Sequence, residues 1–322
     1  MTTVVEESFG KNPIINDSLE GNASSEISIE ADSKQEIPGD DKKAIQKRSF
    51  WNLFVFSISY LLLFTGFWTL STLQSTMNAL EGIGDYSQAV IYVCSTVSCI
   101  LLPTFMIGKF GCKNILLFGA VTCVLCMASN MFLRWDTLMV GAVLYGVANG
   151  PFIASQAFYI DEMATRFLTT VEGQSEFIMA LFFGLFMFFG QSTQIWGNLI
   201  SYYVLRSDRP APSPLNSTDC GINFRPSVND TNRNLDPPTE NQRFLLVGIY
   251  VGMGCVAIFV LGIFLEPLRN DLQETKGCRT ILDRLLSSFK FLRDPVRILL
   301  IPLSVYIGME GPFYTNEVTQ VS

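Results

Sequence analysis

The sequence predicts an all-α polytopic membrane protein, and composition and the spacing of its charges carry that prediction. Of 322 residues, 49% are hydrophobic and only 16% are charged. Between successive Asp, Glu, Lys or Arg residues lie uncharged runs at 49–80, 86–108, 114–133, 137–160, 177–205 and 244–265. Each holds at least twenty residues, enough at about 1.5 Å per helical residue to cross roughly 30 Å of hydrocarbon. A soluble globular enzyme is excluded. The absence of histidine removes triad bases, imidazole proton relays and histidine zinc ligands. No catalytic residue, cofactor or metal site is expected. With 22 basic against 29 acidic residues, the net charge of −7 gives no basic face for nucleic acid.

Taken in order, residues 1–48 carry ten acidic and six basic side chains among Ser, Asn and Glu, and read as a disordered tail. No apolar targeting run precedes the first span, so that span is expected to direct its own insertion. It covers about 51–73 and directly follows Lys42, Lys43, Lys47 and Arg48, which place the N-terminus in the cytoplasm by the positive-inside bias. Later connections agree: Glu81 and Asp85 stand outside, Lys109 and Lys113 inside, Arg134 and Asp136 outside. These bounds give spans at about 51–73, 86–108, 114–133, 137–160, 177–205 and 244–265, a six-helix bundle over 49–265.

The connection 206–243 holds six prolines, six asparagines and two glycosylation acceptors, Asn216 and Asn229, and should be an exterior loop. Its Cys220 is a free thiol or an intermolecular bridge. Cys94, Cys99, Cys123, Cys126 and Cys255 lie in the uncharged runs, and Cys112 and Cys278 in the cytoplasmic connections, as small apolar fillers. Residues 266–297 carry seven basic residues, with Ile281, Leu282, Leu285, Leu286, Phe289 and Leu292 at helical spacing. That is a cytoplasmic amphipathic linker, packed on the bundle or on lipid. Residues 298–322 begin a seventh span that is incomplete.

The six spans carry amides in place of charges. They are Gln74 and Asn78 near the end of the first, Asn149 and Gln156 in the fourth, and Gln191, Gln194 and Asn198 in the fifth. An unpartnered amide in hydrocarbon is costly, so these groups should face protein or a wet cavity. Two readings stay open: a polar path or partner face, and simple interhelical hydrogen bonding. The spacing of Gln191, Gln194 and Asn198 puts them on one helical face, which Gln156 would meet if the fourth and fifth spans pack together. Gly146 and Gly150, followed by Pro151, form a small-xxx-small helix-packing pattern, repeated by Gly248 and Gly252 in the sixth span. Glu310 is an acid inside the seventh segment, either an intramembrane functional carboxylate or the wet end of a short helix.

The topology resembles the N-terminal six-helix half of a major facilitator superfamily fold, with a truncated seventh helix. Gly108-Lys109-Phe110-Gly111-Cys112-Lys113 is similar to a degenerate form of that superfamily's signature, without its acidic residue. A finer resemblance, to the uncoordinated-93 family, rests on Leu73-Gln74-Ser75-Thr76-Met77-Asn78, on Tyr145-Gly146 through Pro151 to Tyr159, and on Gln191 through Ile200. Tyr306-Ile307-Gly308-Met309-Glu310-Gly311-Pro312 extends it, so that it covers about residues 50–314. The resemblance implies no enzyme and no cofactor. It implies a regulatory or escort subunit in the lipid bilayer whose partner is a membrane protein: a potassium channel complex, or alternatively a Toll-like receptor. A facilitator-type solute transporter is the rival reading. The plasma membrane is preferred over endoplasmic reticulum or endosome.

Overall fold

The computed structural model describes residues 38–77, 83–132, 134–171, 175–206, 239–268 and 295–313, and its chain divides into units Met1–Ile45 and Gln46–Ser322. All secondary structure among them is helical: α1 (Gly39–Met77), α2 (Ile83–Leu101), α3 (Pro103–Phe110), α4 (Cys112–Ser129), α5 (Trp135–Leu168), α6 (Ser175–Leu205), α7 (Glu240–Phe264) and α8 (Pro295–Phe313). Five helices are long and apolar enough to cross a membrane, and α2 with α3 make a sixth if that bent pair is one span. The protein is an all-α, integral membrane protein.

Two boundaries differ from those read in the sequence. Helix α1 starts at Gly39, inside the segment expected to be an irregular tail, with Asp40 and Asp41 in its first turn. Acidic groups there complement the positive end of the helix dipole. The run 86–108 is not one straight helix. Pro103 has no N–H to continue the ladder, and the chain bends by 67° between α2 and α3. Gly111, at φ 79°, then separates α3 from α4, a left-handed conformation that glycine adopts without steric cost. In α8 the apolar stretch Ile298–Glu310 is shorter than a full span. The linker from 269 to 294, Asn78 and the glycosylation acceptors Asn216 and Asn229 lie outside the described residues.

Helix α1 is the axis of the bundle: 67% of its apolar window is buried, against 22% for α6. Aromatic rings fill the seam between these two, with Phe56 stacked on Phe186 at 5.4 Å and Tyr60 edge-on to Phe186 at 4.8 Å. Helices α2 and α4 both lie along α5. Their approach is set by glycines. A Cβ on Gly146 would stand 2.7 Å from Cys94 Cβ, and one on Gly150 would meet the backbone of Cys99 and lie 2.7 Å from Ser98 Oγ. On α7 the close-packed glycine is Gly254, whose Cβ would stand 2.6 Å from Val124 Cγ2. Gly66 of α1 meets Tyr250 in the same way. Gly248 and Gly252, expected to pack a helix, have nothing within 4 Å of a built Cβ. Their face of α7 is turned away from the bundle, so the small-xxx-small spacing marks no contact there.

Helix α7 is started by a capping box. The Thr239 hydroxyl accepts from the Gln242 N–H at 3.4 Å, and the Gln242 side chain accepts from the Thr239 N–H at 3.2 Å. Replacing Gly150 by Leu should destabilise the fold by about 1–3 kcal/mol or more, because the neighbouring atoms are backbone. Gly252→Leu should be near neutral. Thermal unfolding of the two variants in detergent checks the contrast.

Candidate functional site

The amides expected in the spans divide into a satisfied set and an unsatisfied one. In α5, Asn149 donates to Ser95 Oγ of α2 at 2.8 Å and accepts from Tyr145 Oη at 3.2 Å. Ser98 of α2 donates to the Val147 carbonyl, so two hydrogen bonds zip the α2–α5 seam beside Gly146 and Gly150. This face is filled by the chain's own α2 and has no room for another protein. Gln74, 4% exposed, donates to Ser87 Oγ at 3.0 Å, and Ser87 donates to the Gly84 carbonyl at 2.8 Å. Gln74, Gln88, Ser71 and Asn130 line a cleft with about 320 Å³ of empty space, part of it open to the surroundings. Gln88, 8% exposed, makes no hydrogen bond there.

Gln191, Gln194 and Asn198 are exposed, and none makes a hydrogen bond to a described residue. They share one side of α6, while Ile178, Phe182, Phe186, Thr193, Gly197 and Ser201 form the buried side. Gln156 of α5 is half-buried and is not joined to them. The structure therefore does not bring these four amides together. Pro151 is buried inside α5, which runs through it to Leu168. Glu310 is exposed at the end of the short apolar stretch of α8.

The buried side of α6 holds a polar node that the sequence reading missed. Tyr250 Oη of α7 donates to the Gly197 carbonyl at 2.9 Å, which leaves Ser201 as the donor across its 3.0 Å contact with the same oxygen. A Cβ on Gly197 would collide with Thr69 of α1. Three helices thus meet at one glycine, and the lone tyrosine inside the 244–265 run was the signal for it. Buried Tyr hydroxyls need a partner.

At the opposite end of α7 a second cluster gathers around Glu266. Its carboxylate accepts from Arg48 Nε at 2.5 Å and from Asn52 Nδ2 at 3.0 Å, both of α1, and its backbone carbonyl accepts from Tyr159 Oη of α5 at 3.1 Å. Lys113 of α4 donates to the Gly262 carbonyl at 2.8 Å, where a cation complements the helix C-terminus. Four helices are joined by uncharged and charged hydrogen bonds at the point where the 266–297 connection leaves the bundle. No group of three or more His, Cys, Asp or Glu side chains among the described residues has the arrangement of a metal site.

The family model described as "Ion channel regulatory protein UNC-93" matches residues 74–318. The chain is 32% identical over 276 residues to unc-93 homolog A of Xenopus laevis, covering 84% of this chain and 60% of that protein. To the homolog A of Homo sapiens it is 30% identical over 279 residues, covering 85% of this chain and 61% of that one. It is also 24% identical over 285 residues to unc-93 of Caenorhabditis elegans, whose name puts it forward as a potassium channel regulatory protein, covering 86% and 40%. The chain spans about three fifths of the length of the homolog A relatives it matches.

Removing the carboxylate by Glu266→Ala leaves the buried Asn52 without its acceptor and should cost about 1–3 kcal/mol. Glu266→Gln keeps an acceptor and should recover most of the loss. The Arg48 ion pair contributes less, since that side chain is 69% exposed. Thermal unfolding of both variants in detergent is the measurement.

Proposed function

The chain belongs to the UNC-93 family, whose model describes ion channel regulatory proteins, and on that premise we infer that it is a non-enzymatic membrane subunit regulating a potassium channel complex. The observation that supports this reading is the row Gln191, Gln194 and Asn198, exposed on a membrane helix and without hydrogen-bond partners among the described residues. Hydrocarbon cannot satisfy amides, so such a row faces protein or a wet cavity, and a regulatory subunit meets that need with a partner's surface. The C. elegans relative's name supplies potassium as the conducted ion. Spans without ionised groups, 177–205 among them, support regulation over ion-coupled transport, which ordinarily draws on intramembrane charge.

The N-terminus lies in the cytoplasm and the 206–243 loop outside, with the plasma membrane as the working location. Lys42, Lys43, Lys47 and Arg48 before the first span, and Lys109 and Lys113 between α3 and α4, support this orientation. The partner surface is the outer side of α6; Gly146 and Gly150, being filled by α2, are internal packing.

Two measurements test the reading. Affinity purification of the tagged chain from native membranes should recover a potassium channel subunit in stoichiometric amount, and co-expression should change that channel's current. Recovery without any channel subunit, or saturable solute uptake by proteoliposomes holding the chain, would overturn it. For the orientation, Asn216→Gln and Asn229→Gln should each remove one glycosidase-sensitive step in gel mobility; a chain with no such step would place the loop on the other side.

A further inference from the structure

The first turn of α7 holds a buried cation that no described residue answers. Arg243 ends the polar 206–243 connection in the sequence, yet it lies on the inward side of α7 with Leu246, Val247 and Tyr250 and is 6% exposed. Its Nε is enclosed without a hydrogen-bond partner. Ion pairs among the described residues join Arg48 to Glu266, Arg134 to Asp136 and Arg166 to Glu162, and none of them reaches Arg243. Glu240, one turn earlier on the same helix, is exposed and does not pair with it. What the guanidinium does meet is the ring of Phe244, whose centroid is 5.8 Å from Cζ.

The surroundings add to this positive charge. Arg243 stands in the opening turn of α7, the positive end of a helix dipole. In the capping box the Gln242 Oε1 accepts from the Thr239 N–H, which fixes the amide, since turning it over would set an NH2 group against that N–H. Gln242 Nε2 is therefore a donor, and it too is enclosed without a partner. Burying a charge is costly unless an opposite charge and hydrogen bonds meet it, and arginine keeps its charge in proteins. A hydroxyl or amide ligand would leave that charge standing; an oxyanion would not. The Nη groups are not enclosed as Nε is and make no hydrogen bond to a described residue, so theirs is the edge an anion can reach.

Depth selects the oxyanion. Arg243 lies within one turn, about 5 Å, of the start of α7, and the uncharged run that crosses the hydrocarbon begins at the next residue, 244. That is the boundary between hydrocarbon and headgroups, where lipid phosphates lie. Beside it Phe244 meets Phe132, just past the end of α4, edge-on at 6.2 Å, and the two rings are 40% and 56% exposed. They give acyl chains an apolar surface next to the cation.

We propose that Arg243 binds a phosphate group at the headgroup boundary where α7 enters the membrane, its Nη edge pairing with two phosphate oxygens. The phosphate is that of a phospholipid, whose chains lie along Phe132 and Phe244, or free phosphate. The assignment does not depend on which protein the chain regulates.

The experiment counts lipids retained by the full chain in native mass spectra from a maltoside detergent, with dioleoylphosphatidylcholine as the probe and dioleoylglycerol, which has the same chains and no phosphate, as the control. Phosphatidylcholine should be retained and dioleoylglycerol should not. Arg243→Gln should weaken retention at least about tenfold, the loss of one charge-assisted hydrogen bond. Arg243→Lys, which keeps the charge and loses the fork, should fall between. Displacement of the lipid by inorganic phosphate would show that the site takes phosphate from either source, and lipid that resists displacement would make the phospholipid the ligand. Equal retention of the two lipids by the unaltered chain overturns the proposal, as does undiminished phosphatidylcholine on a folded Arg243→Gln chain. Should Arg243→Gln fail to fold, Arg243→Lys and the two-lipid comparison decide.

Discussion

Hydrocarbon supplies no hydrogen bonds, so every polar group carried into it has to be answered from within protein. Much of this structure follows from that demand. Along α1 the hydroxyls of Ser59, Thr65, Thr69 and Thr72 each donate to the carbonyl four residues earlier, at 2.6–2.9 Å. Self-satisfaction of this kind lets the most buried helix of the bundle carry hydroxyls without a partner helix. Amides cannot be disposed of so locally, since they bring two donors and an acceptor. Gln74 and Asn149 are instead bonded to serines of α2, and those bonds fix how α2 sits between its neighbours.

Between helices that are apolar on all sides, hydrophobicity gives little preference for one face over another, because lipid tails are as apolar as a core. Shape decides. Gly146 and Gly150 admit α2, Gly119 admits Phe152, and Gly254 admits Val124 and Met127. The carbonyl of Gly197, bare of any side chain, is open to Tyr250. Glycine and hydrogen bond occur together at the seams: Gly146 and Gly150 flank Asn149, and Gly197 stands beside the Tyr250 and Ser201 pair. A close approach shortens the distance that a short polar side chain must reach, and the resulting bond holds the approach.

The positions of the helices were legible from the sequence because a charge-free run of twenty or more residues has few other physical meanings. Which face of each helix turns inward was not. Gly248-xxx-Gly252 and Gly146-xxx-Gly150 are the same pattern, yet one is open and the other closed, since spacing records only that a face is smooth. Pro103 stands inside the 86–108 run and its missing N–H accounts for the bend there; a charge-based boundary passes over it. The Glu266 cluster was hidden for a different reason. Arg48 and Glu266 are 218 residues apart, and each looked like the polar end of its own span.

The two sets of amides give the structure its direction. Gln74 and Asn149 are answered inside the bundle, so they are explained by packing and need no further function. Gln191, Gln194 and Asn198 are the same chemical groups within a charge-free run, and no described residue answers them. Leaving an amide unbonded in an apolar medium costs on the order of 2–7 kcal/mol by transfer measurements and about 1–3 kcal/mol by mutation. Even the lower figure, taken three times, is comparable to the 5–15 kcal/mol that holds an ordinary domain folded. Leucine at the same positions would have avoided that cost in hydrocarbon. A row so costly in hydrocarbon belongs against protein or a wet cavity.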